Sequence, residues 1–158
     1  RKKVTDFFTK VKARVFPVGR LDRNSTGLLI MTIDGMLANG LMHPSRGVEK
    51  RYAVLLDGPL GPEQMMKFRK GMKIEGQMTS TCQIIDHGEV DRRGFAYEVV
   101  LHEGKNRQIR KMMEILGRHC KEIHRFEYGP LKLGKLRPGE FRPLTSDEVR
   151  TLKECVSG

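Results

Sequence analysis

The sequence has few cysteines, few acidic residues and no long apolar run, and each shortage excludes a class of protein. Its cysteines, Cys82, Cys120 and Cys155, are an odd number at wide spacings, which excludes a secreted fold built on disulfide bonds. The longest apolar run covers residues 27–31, far below the ~18 residues of a membrane-spanning helix. No signal-like apolar segment stands near the N-terminus. We therefore expect a soluble protein of a reducing compartment with no membrane partner.

The sequence also lacks internal repeats, low-complexity tracts and a linker rich in proline or serine. A length of 158 residues suits one domain and permits a sizeable hydrophobic core without metal or disulfide support. We therefore expect residues 1–158 to form a single domain that acts as a monomer.

Acidic residues are outnumbered: 30 Lys and Arg face 19 Asp and Glu, which gives a net charge of +11. The excess lies in two segments. Residues 1–20 carry seven basic side chains against one acid, and residues 102–125 carry seven against three, while residues 21–101 carry ten of each sign. Each basic segment is either a solvated face or a contact with a polyanion such as nucleic acid.

Apolar periodicity and turn residues predict an α+β fold. Strands are expected at residues 15–18, 28–33, 51–57, 81–87, 95–102 and 121–128, with a polar loop at 20–27. Helices are expected at residues 36–42, 62–70 and 107–116, and a capping box at 145–148 opens a last helix. Several strands with scattered helices favour a mixed, largely antiparallel sheet with flanking helices.

The helix expected at residues 107–116 has an apolar and a basic face. The apolar face carries Ile109, Met112, Met113 and Leu116. On a helical wheel of ~100° per residue, Arg110 borders this face, whereas Arg107 and Lys111 point outward. Asn106 is the expected N-cap, and the backbone N–H groups of residues 104–106 are suited to a phosphate. An amphipathic helix with a solvated basic side explains Arg107 and Lys111 but not the placing of Arg110.

Asp22 lies in the polar loop, where an acid is either an ordinary turn residue or a catalytic group. The surrounding strings decide between these interpretations: VGRLD at residues 18–22, STGLL at 25–29 and TIDG at 32–35. Together they resemble the active-site motif of RNA pseudouridine synthases. Further strings resemble the RsuA-type ribosomal RNA branch of that family: LMHP at 41–44, EKRYAV at 49–54, EGKNRQIRKM at 103–112 and PGEFRPLT at 138–145.

The resemblance implies the pseudouridine synthase fold and the isomerisation of a specific uridine to pseudouridine in ribosomal RNA, more in keeping with large-subunit RNA. It implies no cofactor, a ribosomal RNA or pre-ribosomal particle as partner, and a bacterial-type cytoplasmic location, with an organelle left open. Members of the family usually begin with a small S4-like RNA-binding domain. Since none precedes residue 18 here, we expect residues 1–158 to be an N-terminally incomplete catalytic domain.

The resemblance also implies residue roles. Asp22 is the catalytic carboxylate, Arg110 pairs with it and keeps it ionised, and Tyr52 packs against the target base and has a possible part in removing the C5 proton. A core tyrosine and a surface arginine are the alternatives at Tyr52 and Arg20. The expected RNA-binding residues are Arg20, which enters the RNA stack, and Arg23, Lys50, Lys105, Asn106, Arg107 and Lys111.

His119, Cys120 and His124 fit a metal site poorly because further ligands at diagnostic spacing are missing, so no metal is expected. A second functional hypothesis is a catalytically silent ribosomal RNA-binding or ribosome-assembly factor with the same fold. The intact set of Asp22, Tyr52 and Arg110 argues against it.

Overall fold

A computed structural model describes residues 16–19, 21–43 and 46–157 of the chain. Its strands are β1 (Phe16–Pro17), β2 (Ser25–Gly27), β3 (Met31–Thr32), β4 (Lys50–Leu56), β5 (Lys73–Ile74), β6 (Gln77–Met78), β7 (Gln83–Val90), β8 (Gly94–Leu101), β9 (Cys120–Tyr128) and β10 (Leu131–Lys132). Its helices are α1 (Gly35–Met42), α2 (Pro62–Lys70), α3 (Gln108–Ile115) and α4 (Ser146–Val156). No helix in these described ranges is long and apolar enough to cross a membrane.

The central sheet has six strands, five of them in the order β10, β9, β4, β8, β7. These five pair antiparallel, whereas β2 runs parallel to β9. Two short antiparallel pairs, β1 with β3 and β5 with β6, lie outside this sheet. The expected mixed, largely antiparallel α+β architecture is confirmed.

Two hydrophobic cores hold the elements together. The larger one packs β4, β8 and β9 against α2 and α3, with Phe68, Met112 and Met113 fully buried. The second core joins α1 and α4 to the β2–β3 region, and Leu152 of α4 is fully buried in it. Burial of such side chains contributes roughly 1.5 to 3 kcal/mol each to the free energy of unfolding.

The four helices and the long strands β4, β7, β8 and β9 lie close to their expected positions. The capping box is present, since Thr145 accepts from the backbone N–H of Glu148 at 3.1 Å. The strand expected at 28–33 is wrong in extent, because only Met31–Thr32 pairs, with β1. The expected loop at 20–27 contains β2, and the β5–β6 hairpin and β10 lie outside the predicted elements.

Gly27 permits the close approach of β2 to β9. Its φ is +120°, and a Cβ at this position would lie 2.0 Å from the carbonyl oxygen of Arg125. We therefore expect Gly27→Ala to lower the free energy of unfolding by about 3 kcal/mol, since both the backbone conformation and the neighbouring strand oppose a side chain. Thermal unfolding measures this. Gly35→Ala is the control, because nothing lies within 4 Å of a Cβ there; equal stability of the two variants would contradict this packing.

Candidate active site

A cleft of about 420 Å³ opens between the two cores. Its walls come from the loop between β1 and β2, the start of β4, the end of β8, the N-terminal half of α3, and β9. Asp22, Tyr52 and Arg110 all line it, although they are far apart in the sequence. A volume of this size lies within the range of small-molecule sites and accommodates one nucleotide.

The Asp22 carboxylate is held by two arginines. Its Oδ2 accepts from Arg110 Nε at 2.7 Å, and its Oδ1 accepts from Arg107 Nη1 at 2.9 Å. The backbone makes a turn here, because the N–H of Ser25 donates to the Asp22 carbonyl at 2.9 Å. The Asp22 side chain retains 15% of its exposure, so the carboxylate stands at the wall of the cleft, accessible from it.

These contacts set the charge of Asp22. Burial acts to raise its pKa, but the hydrogen bond from Arg110, the charges of Arg107 and Arg110 and the backbone N–H of Arg23 together outweigh burial and lower the pKa. The group is therefore ionised at neutral pH.

Arg110 ties three parts of the site together. Besides Asp22, its guanidinium donates to the carbonyl oxygens of Asn24 at 3.0 Å and Cys120 at 3.3 Å. Its side chain is only 8% exposed. The expected pairing of Arg110 with Asp22 is thus confirmed as a contact, and the border position on the α3 wheel accounts for it, since the neighbouring Ile109 packs into the core.

The expected outward direction of Arg107 is wrong. The helix begins one residue later, at Gln108, and Arg107 is its N-cap residue in the left-handed conformation, with φ 51° and ψ 34°. This conformation takes Arg107 off the helical wheel and directs its guanidinium to Asp22. The expectation of Asn106 as N-cap is wrong for the same reason. At 42% side-chain exposure, Arg107 remains open to solvent, unlike Arg110.

Tyr52 is half-buried on β4. It packs against the core that contains Val54 and Leu56, and it also lines the cleft. In the β4–β9 ladder it stands opposite Arg125, so the two side chains share a face of the sheet. Packing against the core thus leaves part of Tyr52 available to the cleft.

The expected RNA-binding residues occupy three kinds of position. Lys50 and Lys105 line the cleft with Arg107. Arg23 and Asn106 are exposed, and each directly follows or precedes in the sequence a residue that lines the cleft. Lys111 forms an ion pair with Glu75 at 2.8 Å, so it faces the β5–β6 turn.

Two further expectations concern the backbone N–H of Lys105 and the side chain of Arg20. The Lys105 N–H is not free for a phosphate, because it donates to the Gln108 side chain at 3.1 Å. Arg20 lies outside the described residues. Across the part of the chain that the structure describes, no three His, Cys, Asp or Glu side chains are grouped to hold a metal.

Sequence reasoning missed Arg125, which is 4% exposed and lines the cleft. Its Nε donates to the Leu28 carbonyl at 2.9 Å, and its Nη2 is buried with no hydrogen-bond partner among the described residues. An arginine inside an alternating strand normally points to solvent, so the sequence contained no signal for it.

Comparison with known proteins agrees with this geometry. The family profile described as RNA pseudouridylate synthase matches residues 3–115. Ribosomal large subunit pseudouridine synthase B of Bacillus subtilis (strain 168) is 36% identical over 154 residues, covering 97% of this chain and 63% of that protein. Dual-specificity RNA pseudouridine synthase RluF of Escherichia coli (strain K12) is 35% identical over 156 residues, covering 99% of this chain and 52% of that protein.

A solved structure described as a pseudouridylate synthase superposes with a TM-score of 0.84 at 28% identity, covering 94% of this chain and 64% of that one. The chain therefore spans between half and two thirds of the length of these relatives.

Proposed function

The chain belongs to the RNA pseudouridylate synthase family, and we propose that it isomerises one specific uridine of ribosomal RNA to pseudouridine. The observation that carries the proposal is the ionised Asp22 carboxylate, held by Arg110 and Arg107 in a nucleotide-sized cleft. The names of its relatives favour large-subunit RNA as the substrate, although one of them is a dual-specificity enzyme.

The reaction moves one bond. The bond between N1 of uracil and C1′ of ribose breaks, the base turns over, and C5 bonds to C1′. C5 releases a proton and N1 takes one up, so atoms and charge balance and no co-reactant is consumed. The chemistry requires an anionic group beside the sugar carbon, and Asp22 supplies it as a nucleophile: its oxygen bonds to C1′ as the bond to N1 breaks, and C5 then displaces that oxygen, which regenerates the carboxylate.

The two arginines act differently on Asp22. Arg110 is buried and makes three hydrogen bonds, so it orients the carboxylate and keeps it ionised. Arg107 is more exposed, and it turns from Oδ1 towards an RNA phosphate when the strand binds. That exchange leaves one carboxylate oxygen for the sugar while Arg110 still holds the other.

The target base reaches the cleft only after it leaves the RNA stack. Flipping costs a few kcal/mol, which contacts with the extruded nucleotide must offset. Tyr52 provides a ring surface in the cleft wall for stacking on uracil, and its hydroxyl is a candidate for moving the C5 proton. Arg20 is assigned to the gap in the RNA stack from the family resemblance alone.

The proposed RNA contact combines side chains that line the cleft with others near it. The lining side chains are Lys50, Lys105 and Arg107. The others are the basic Arg23 and Lys111 and the neutral amide of Asn106. In this proposal residues 1–158 belong to a single catalytic domain that works as a monomer in a bacterial-type cytoplasm and needs no cofactor.

Release of tritium from C5-labelled uridine tests the proposed function. Ribosomal RNA labelled at C5 is incubated with the purified chain, with naked large-subunit RNA, naked small-subunit RNA and pre-ribosomal particles as separate substrates. We expect one equivalent of tritium per RNA molecule from one of these substrates. Release no higher than that of an Asp22→Ala variant would exclude the enzyme and favour the RNA-binding factor.

Lys105 is expected to contact the RNA backbone. A protein that neutralises phosphates releases counterions, so RNA affinity falls as salt rises. Lys105→Gln should make the slope of log affinity against log salt shallower by about one unit. Fluorescence anisotropy with a labelled ribosomal RNA fragment measures the slope. Lys132→Gln, an exposed lysine of β10, is the matched control; an unchanged slope for Lys105→Gln would remove Lys105 from the RNA contact.

A further inference from the structure

We propose that Lys50 and Arg125, beside the Tyr128 ring, form a second anion site in the cleft that binds one phosphodiester of the RNA next to the target nucleotide. The inference rests on the proposed function, because it specifies how the same cleft holds its substrate. It concerns a place in the cleft separate from the Asp22 carboxylate and its two arginines.

A bulge in β9 brings these side chains to one face. In a regular strand, residues three apart point to opposite faces, so Arg125 and Tyr128 would be separated. Here Arg51 stands opposite Glu127 while Tyr52 stands opposite Arg125, which leaves one extra β9 residue between the two pairs. Arg125 and Tyr128 therefore both face the cleft, and the Arg125 guanidinium lies 5.2 Å from the centre of the Tyr128 ring.

Lys50 completes the group from β4. It stands opposite Tyr128 in the ladder, and its Nζ lies 5.9 Å from the centre of the same ring. The glycine at 104 leaves room for the ammonium group, since a Cβ there would lie 3.1 Å from Nζ. Two cations thus share one aromatic ring inside a cleft.

The charge of this group is incompletely balanced by the described residues. Five Lys or Arg line the cleft against two acids, Asp22 and Glu103. Asp22 is engaged by Arg107 and Arg110. Glu103 forms an ion pair with Lys105 Nζ at 3.6 Å and accepts from the Ser80 N–H at 2.5 Å and from Gln108 Nε2 at 3.3 Å, so it is already shared by another cation and two neutral donors. The positive charge near β4 and β9 therefore exceeds what these acids offset.

The energetic cost of this arrangement indicates a ligand. A buried charged donor without an acceptor is unfavourable, and Arg125 Nη2 has no acceptor among the described residues. Burial and the charge of Arg125 lower the pKa of Lys50 to about 8, although Glu103 acts to raise it. A charged group in a cleft whose pKa is shifted by burial and by a specific neighbouring charge is typical of a functional site.

A phosphodiester matches the group better than the uracil ring does. Arg offers parallel N–H donors and Lys a point charge, both suited to phosphate oxygens. Tyr52 is the cross-strand neighbour of Arg125, so the phosphate would sit one side chain away from the stacked base. Because Nη2 is covered by protein, the guanidinium must reorient slightly to reach the ligand.

The uridine dinucleotide UpU and its uncharged methylphosphonate analogue are the probes. Chemical-shift titrations of the full chain, labelled with ¹⁵N in arginine and lysine side chains, give both affinities. We expect the phosphodiester to bind about tenfold more tightly and to shift the Arg125 signals, and Lys50→Met to remove the difference. Lys132→Met should behave like the unchanged protein.

Equal affinity of the unchanged protein for both dinucleotides would overturn the proposal. It would also be overturned if Lys50→Met kept the full difference in affinity between UpU and its methylphosphonate analogue. Inorganic phosphate is titrated in parallel. If it shifts the Arg125 signals and UpU does not, the site serves a free phosphate and the RNA assignment is wrong.

Stability separates this role from a structural one. Because Lys50 is a half-buried cation beside another, Lys50→Met should unfold at the same temperature as the unchanged protein or a higher one while it loses the phosphate preference. A lower unfolding temperature would show that Lys50 is structural and would contradict the proposal. The binding readout is independent of catalysis, so absence of tritium release tests the proposed function alone.

Discussion

Asp22→Asn is expected to lower the rate of pseudouridine formation by at least about 10⁴-fold, as loss of a catalytic nucleophile does in other enzymes. Asparagine keeps the size and one acceptor oxygen of Asp22 but has no negative charge to place beside the sugar carbon. RNA affinity should change little, since the cations around the cleft remain. The effect should therefore appear in the single-turnover rate of tritium release at saturating protein.

Loss of stability cannot account for such a decrease. Asp22→Asn leaves Arg110 without a counter-ion, which should lower the free energy of unfolding by about 1 to 3 kcal/mol. Asp34→Asn is the matched control. Asp34 caps α1 by accepting from the Leu37 N–H at 3.0 Å, and asparagine caps helices equally well. A rate for Asp22→Asn within tenfold of the unchanged protein would exclude Asp22 as the nucleophile.

Arg110→Lys has the second largest expected effect, a decrease of about 10²-fold in the rate. Lysine keeps the positive charge but cannot donate to Asp22, Asn24 and Cys120 together, as the guanidinium does. The carboxylate loses its orientation and part of the interaction that lowers its pKa. A pH profile of the single-turnover rate, with thermal unfolding alongside, measures both consequences.

The direction of the pH effect follows from the pKa of Asp22. Activity needs the ionised carboxylate, so the rate falls as pH drops through that pKa. Arg110→Lys raises the pKa, and the acid limb of the profile moves to higher pH. The lowered pKa also stabilises the fold above the unfolded-state pKa, and this contribution is lost as pH falls through the folded-state pKa. The variant should therefore lose less stability on acidification.

Arg107→Lys is the comparison for Arg110→Lys, because Arg107 contacts the other carboxylate oxygen from a more exposed position. Arg107→Lys should displace the acid limb of the pH–rate profile less than Arg110→Lys does, and it should weaken RNA binding more. An acid limb that is displaced equally by both substitutions, or by neither, would contradict the separate roles of the two arginines.

The contact between Asp22 and Arg110 could be predicted from the sequence because the family resemblance implies it and a local pattern agrees with it. The motif around Asp22 identifies the acid, and the apolar spacing of α3 places Arg110 at the border of the buried face. The position of Tyr52 follows in the same way from the alternation along β4.

The remaining features depend on contacts between distant segments. Strand β2 is three residues long and exists because it pairs with β9, about 100 residues later. The helical wheel predicts an outward direction for Arg107, but its left-handed backbone lies outside the helix, which begins only at Gln108. Arg125 faces the cleft because of a bulge opposite Arg51 and Tyr52, which no local pattern indicates.

The most direct test counts pseudouridine among the nucleosides of ribosomal RNA after incubation with the purified chain, with Asp22→Asn in parallel. We predict one pseudouridine per RNA molecule, at a single position, for the unchanged protein and none above background for Asp22→Asn. Salt-dependent RNA binding without any pseudouridine would contradict the account and identify the chain as an RNA-binding factor with this fold.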